Sequence, residues 1–222
     1  MKTLFASIAD RYDRMNRVMS LALDRRWRRV ALSAATSGAS ILDLACGTGD
    51  FAAEALRRFP DAEVTGLDIT PEMVDIARTK LAGKRIRFRT GDAQDLSEFP
   101  DGHFGLVICA FGFRNFPDKA KALAECRRVL SAGGELLVLE LFRPRSRLLG
   151  CLVHAWLAAA AFLFARGARR EYAYLRASVR ATVSAAEFRS LADAAGFALL
   201  RHRFLFPAAT CMLFRKAAPN MV

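Results

Sequence analysis

Residues 41–50 read Ile-Leu-Asp-Leu-Ala-Cys-Gly-Thr-Gly-Asp, and no other stretch limits the fold so sharply. An apolar run carrying one acid, Asp43, meets two glycines. Helical spacing starts directly behind them at Phe51, Ala55, Leu56 and Phe59. A strand, a tight turn and a helix start are thereby packed into about a dozen residues. Gly47 and Gly49 permit backbone torsions, and a closeness of approach to a ligand, that a Cβ would forbid. The unpaired N–H groups at the head of the helix favour an electron-rich ligand edge.

From Ser40 onward strand and helix patterns alternate over 40–46, 51–59, 63–68, 71–82, 86–90, 104–110, 118–131 and 135–142. Thr70 and Pro71 open one of these helices as N-cap and first-turn residue. Gly133-Gly134 turn the chain into the strand that ends at Glu140. Helices at 171–181 and 184–195 and strands at 197–205 and 209–215 follow. This order predicts an α/β fold built on a doubly wound, mostly parallel, seven-stranded sheet. Ahead of it, Phe5, Ile8, Tyr12, Met15 and Met19, then Leu23, Trp27 and Val30, predict two amphipathic helices over residues 1–34. The chain reads as one domain: a helical cap (1–38), a cofactor-binding core (39–142), a lid (143–195) and a final strand pair (196–217).

Gly47 to Ala52 fits the loose dinucleotide pattern G-x-G-x-x-A. Asp68, at the end of the second strand, can hold a ribose diol under that reading or any nucleoside reading. Two features favour S-adenosylmethionine (SAM). Asp43 and Asp50 crowd the loop, which suits a sulfonium and an amino group better than a pyrophosphate. The third strand ends in Gly91-Asp92-Ala93, where a second acid can meet an adenine amino group.

The net charge of +12 is unevenly placed: +5 over residues 1–30, −3 over 31–140 and +10 over 141–222. Basic covers over a mildly acidic core can face nucleic acid or an anionic membrane surface. The five cysteines (46, 109, 126, 151 and 211) show neither a C-x-x-C pair nor metal-ligand spacing, so no metal is expected and a reduced, cytoplasmic setting is. No apolar run follows Met1-Lys2-Thr3-Leu4-Phe5 to suggest a signal peptide. Residues 148–165 are uncharged for 18 positions between arginines at 143, 145 and 147 and at 166, 169 and 170. The length approaches a membrane span. Topology argues against one, because the strands after it must rejoin the sheet begun before it. The expectation is an apolar lid over a greasy pocket, touching a bilayer peripherally.

The motifs resemble those of the ubiquinone/menaquinone biosynthesis C-methyltransferases, a branch of the class I SAM-dependent enzymes. The likeness runs from Tyr12-Asp13-Arg14-Met15-Asn16-x-x-Met19-Ser20 and Trp27 through the loop 43–50, Asp68 and Asp92-Ala93 to Phe111-Gly112-Phe113-Arg114-Asn115. It continues through Arg128-Val129-Leu130, Gly133-Gly134 and Glu140 to Tyr172-x-Tyr174-Leu175 and Ala195-Gly196-Phe197. Departures gather in the acceptor half. Gly167-Ala168 replaces a Gly-Asp, Phe206-Pro207-Ala208-Ala209 replaces a Thr-Gly-Gly turn, and Ala110 stands for a serine. Elsewhere Asp24 stands for a histidine and Ser131-Ala132 for Lys-Pro.

The resemblance implies SAM held by Asp43, Gly47, Thr48, Gly49, Asp68, Ile69, Asp92, Ala93 and Ala110, and a polyprenyl quinol as methyl acceptor. Methylating a ring carbon needs an oriented, electron-rich ring in a low-dielectric site. Arg114 is expected to stabilise the developing phenolate and Asn115 to orient it, with Asp92 as a proton acceptor. A buried ion pair bracing the loop is the plainer alternative for Arg114. Tyr12, Tyr172, Tyr174 and His154 are expected to line the acceptor path. The expected partners are the lipophilic quinol, a membrane surface and a second copy of the chain in a homodimer. Two alternatives remain: another amphipathic acceptor, a phospholipid amine or a phenol, and a non-catalytic SAM-binding scaffold. Nucleic acid is not expected, since Ala110-Phe111-Gly112-Phe113 stands where amine-methylating nucleic-acid enzymes carry Asn/Asp-Pro-Pro-Tyr.

Overall fold

A computed structural model describes residues 12–20, 22–36, 38–144, 150, 155 and 169–218. Two helices, α1 (Tyr12–Met19) and α2 (Leu23–Leu32), precede the sheet. The core then alternates β1 (Ser40–Leu44), α3 (Asp50–Arg58), β2 (Glu63–Asp68), α4 (Pro71–Lys80), β3 (Ile86–Thr90), β4 (Phe104–Ala110), α5 (Lys119–Val129) and β5 (Leu130–Glu140). Helices α6 (Arg169–Ala181) and α7 (Ala185–Ala194) lead to β6 (Phe197–Leu205) and β7 (Ala209–Lys216). The seven strands lie in the order β3-β2-β1-β4-β5-β7-β6. All neighbours are parallel except β7, which runs antiparallel to both β5 and β6.

Parallel strands covered by helices on both faces should read as continuous apolar runs. The central strands do: Leu42 and Leu44 on β1 and Leu106 to Cys109 on β4 have no accessible surface. One apolar layer gathers Phe104, Phe113, Phe188 and Phe214. The other gathers Trp27, Phe51, Val74 and Phe88. Helix α7 starts with a capping box, in which Ser184 Oγ accepts the Glu187 N–H and the Glu187 carboxylate accepts the Ser184 N–H. The cysteines at 46, 109, 126 and 211 are buried and free.

One expectation is corrected. β5 begins at Leu130, not at 135, and no further turn of helix intervenes. Leu130 is already extended and pairs with Phe104, while the register jumps to Leu106–Glu135, so Gly133-Gly134 sit in a bulge within the strand. Thr70 occupies the N-cap of α4 but makes no capping bond through its side chain; its own N–H is taken by Asp68. Residues 1–11 of the first predicted helix lie outside the described residues. So do all of 148–165 except Gly150 and Ala155, and with them His154 and the expected lid. Among the described residues no helix is long and apolar enough to cross a membrane.

Candidate cofactor and acceptor site

The five parallel strands β1 to β5 present their C-terminal ends to one side, where sheets of this kind bind ligands. The turn after β1 is held by β2. Asp68 Oδ2 accepts the Gly47 N–H at 2.9 Å and Oδ1 accepts the Thr70 N–H at 2.9 Å. Burial raises the Asp68 pKa, and those two N–H groups oppose the rise. Gly47 has φ +53°. Gly49 has φ +83°, and a Cβ there would lie 2.8 Å from Leu81 Cδ1 and 2.9 Å from Phe88 Cζ. Gly49 therefore closes the packing of α3 on β3, and it lines neither cavity described below.

A cavity of about 240 Å3 opens beside this turn. Of the residues predicted to meet the cofactor, Gly47, Asp68, Ile69, Asp92, Ala93 and Ala110 line it. Phe111, Gly112, Asn115, Phe116 and Pro117 form the wall after β4. A smaller polar hollow of about 20 Å3 shares Tyr12, Gly47 and Ala110 with it and is lined by Asp43, Thr48, Asp50 and Arg28. Asp43 is 1% exposed, and neither of its oxygens completes a hydrogen bond. Burial pushes its pKa up to about 8; the Ala52 N–H and Arg28 counter this in part. A buried carboxylate without a completed hydrogen bond is costly. A cationic ammonium or sulfonium would satisfy it, so the residues present fit SAM.

The cap sits on this hollow through charge. The Thr48 hydroxyl donates to Asp13 on α1, and Lys80 Nζ donates to Asp13 at 2.5 Å and Asp50 at 2.6 Å. Burial works against the Asp50 charge, but Lys80 and Arg28 outweigh it and lower the pKa. Arg28 is buried and bonds Asp24 on its own helix. Tyr12 reaches over Gly47, so that a Cβ on that glycine would stand 3.5 Å from the Tyr12 ring. Trp27 is part of the packing: its indole donates to the Phe206 carbonyl at 3.1 Å and its ring meets Phe111.

On the acceptor side Arg114 is 8% exposed at its side chain and pairs with Glu140, 1% exposed, at 2.8 Å. The same Nη1 donates to the Phe111 carbonyl at 2.5 Å, and the Arg114 N–H donates to Glu140 at 3.0 Å. Burial opposes its charge, but Glu140, Tyr12 and Tyr174 prevail and raise its pKa. Arg114 thus makes the bracing ion pair and lies behind the cavity wall instead of on it. Asn115 does line the cavity, and its Oδ1 accepts the Tyr174 hydroxyl at 3.0 Å. Asp92 also lines it, with Oδ1 taking the Gln94 N–H at 2.9 Å.

Phe111, Glu140 and Asp13 stand in the motifs that carry the resemblance without an assigned role, and the sequence does not single out Lys80. Phe111 is a non-glycine residue at φ +60°, a geometry that costs about 1–2 kcal/mol. Two guanidinium carbons lie over its ring, Arg28 at 5.8 Å and Arg114 at 6.0 Å from the centroid. The signal available was its place, directly after a buried strand and before Gly112.

Comparison with known proteins agrees with this geometry. A demethylmenaquinone methyltransferase of Deinococcus radiodurans is 51% identical over 153 residues, 67% of this chain and 63% of that protein's length. A demethylmenaquinone methyltransferase of Thermus thermophilus is 43% identical over 88% of this chain and 92% of its own. The C-methyltransferase UbiE of Geobacter sulfurreducens is 38% identical over 91% and 82%. Two solved structures share the fold. A methyltransferase in complex with the Trm112 activator of Haloferax volcanii has a TM-score of 0.70 at 21% identity, covering 96% of this chain and 98% of that one. A SAM-dependent methyltransferase of Aquifex aeolicus scores 0.60 at 17% identity, covering 82% and 84%. Residues 1–213 match the ubiE/COQ5 methyltransferases, and the chain belongs to that SAM-dependent family.

Proposed function

We propose that this SAM-dependent methyltransferase methylates a ring carbon of a polyprenyl quinol, demethylmenaquinol before a benzoquinol. The observation that carries the reading is the cavity wall after β4. It sets Phe111 and Phe116 beside one oriented amide, Asn115, with the buried Arg114 charge behind. A flat ring bearing an ionisable hydroxyl fits such a wall. The names of the Deinococcus and Thermus relatives point to the same acceptor.

When bound, SAM supplies an electrophilic methyl group. Asp68 would hold its ribose, Asp92 its adenine amino group, and Asp43 with the Thr48 turn its charged end. The chain's own residues do the rest. Asn115, fixed by Tyr174, orients the ring oxygen. Arg114, kept charged by Glu140 behind the cavity wall, favours the phenolate over the phenol. Asp92 is engaged by Gln94 and serves binding better than proton transfer, so the hydroxyl proton leaves for solvent. After methyl transfer the ring carbon gives up its own proton and the oxygen takes one back, which restores the aromatic quinol. Phe111 and the cap exclude water from the reacting carbon.

The test is incubation with methyl-labelled SAM and matched quinols, quinones and aminophospholipids. Label in the quinol alone is expected. Equal label in the oxidised quinone, or label confined to the phospholipid, would sink the reading.

A further inference from the structure

Among the described residues three large apolar side chains stand exposed, and all three lie on β6 and its turn: Leu200 at 41%, Phe204 at 50% and Phe206 at 80%. Arg201, His202 and Arg203 lie between them and are exposed as well. From Phe197 to Val222 the sequence has no acid. Exposed large apolar side chains gathered on one strand and its turn mark an interaction site, and the charged residues of that strand and turn are all basic.

The position adds direction. β6 is antiparallel to β7 and β7 is antiparallel to β5, so β6 runs with β5. Its last residues and the turn 206–208 therefore lie at the same end of the sheet as Asp68, Ala110 and the cavity. The turn is also tied to the cavity wall. Trp27 donates to the Phe206 carbonyl at 3.1 Å, and its ring lies 6.3 Å from that of Phe111, which lines the cavity.

We infer that the tip of the β6–β7 hairpin is a docking surface for an anionic lipid bilayer, with Phe204 and Phe206 entering the interface and Arg201 and Arg203 meeting headgroup phosphates. A strand tip approached end-on presents both of its faces, so alternation along β6 does not force a choice between the aromatic and basic residues. Aromatic groups at the headgroup level combined with arginine are the pairing an anionic interface favours. The β6 edge also leaves backbone groups unpaired within this sheet, so a second copy of the chain is the competing occupant. The charge argues against it, because two such edges would bring arginines together.

This inference deepens the quinol reading, and for its purpose rests on it: a tailed acceptor resides in the bilayer, and the hairpin would set the cavity mouth against it. The test uses the full chain and vesicles of phosphatidylcholine with and without phosphatidylglycerol, read by co-sedimentation. The parent chain should bind the anionic vesicles in a salt-sensitive way. The Phe204→Ser/Phe206→Ser variant should partition roughly tenfold more weakly. Phe206→Trp should bind at least as well as the parent, which separates lost contact from lost folding. Turnover of a tail-less naphthoquinol in buffer should be unchanged in all of them. Equal vesicle binding by the double serine variant overturns the inference. So does a parent that ignores anionic vesicles, or a variant whose sole change is from dimer to monomer in sedimentation equilibrium. If vesicle binding follows the phenylalanines but no quinol is methylated, the docking surface stands and the acceptor assignment falls.

Discussion

Replacing Glu140 by glutamine removes the carboxylate that holds the Arg114 guanidinium, with side chains 8% and 1% exposed, and leaves that charge buried without a counterion. Breaking a buried pair from one side costs about 3–5 kcal/mol. Glutamine keeps one oxygen and can still accept from the Arg114 or Leu141 N–H, so the lower end applies, about 3 kcal/mol. At this chain length each kcal/mol moves the melting temperature by about 2–4 °C, which gives a fall of roughly 6–12 °C. A second variant, Arg114→Met/Glu140→Gln, removes both charges and should recover most of that loss. Activity should not recover: without the cation behind Asn115 the phenolate is unsupported, and kcat should stay roughly 100-fold down. Thermal unfolding by circular dichroism, paired with methyl transfer at saturating SAM, reads both arms. A single variant that melts within about 2 °C of the parent would show that the pair carries no buried charge. A double variant with full activity would reduce Arg114 to a brace and remove the electrostatic step from the mechanism.

The remaining predictions concern the cofactor half. Burial holds Asp43 up to about 8, so the folded chain keeps a proton that the unfolded chain releases near pH 4. Stability should therefore fall as pH rises from about 4 toward 8 and level off above; Asp43→Asn should flatten this slope in urea titrations. Adenosylhomocysteine should bind more tightly over the same rise in pH, and calorimetry of the asparagine variant should lose that trend. Phe111→Gly should be more stable than Phe111→Ala by about 1 kcal/mol, because glycine alone relieves the positive φ; equal melting temperatures would contradict the strain. Lys80→Ala breaks partly exposed pairs, so it should cost at most about 1 kcal/mol in stability. It should nevertheless speed adenosylhomocysteine release several-fold in stopped-flow, and an unchanged off-rate would mean that the cap does not gate the site.

How much of this could be read from residues alone depended on how local each signal was. The glycine turn, Asp68 and the run of buried strands are written within a few neighbours of one another, and they emerge where their spacing put them. Phe111, Phe116 and Asn115 follow from the same logic of a strand's C-terminal end. Gly49 was expected to face a ligand, but Leu81 and Phe88, far along the chain, decide its need for glycine. Arg114 and Glu140 are 26 positions apart, and Lys80 and Asp13 are 67 apart, so only the fold brings each pair together. Nothing in the neighbours of Phe111 signals a left-handed backbone, since aromatic residues seldom adopt one. The early start of β5 was hidden for a related reason: the extended state of Leu130 is set by pairing with Phe104, across a bulge that glycines disguise as a plain turn.

The buried cysteines bear on the chemistry such an enzyme would live beside. Quinones in their oxidised form are electrophiles that alkylate thiolates, and a thiol reacts only to the extent that it is ionised and reachable. Burial pushes the Cys46, Cys109, Cys126 and Cys211 thiols well up from their ordinary value. Each therefore stays protonated and shielded at neutral pH. Cys46 adjoins the glycine turn and Cys109 stands one residue before Ala110, yet a stray quinone reaching the cavity would find no ready nucleophile in either. For these four cysteines the apolar core thus doubles as chemical armour against a redox-active lipid.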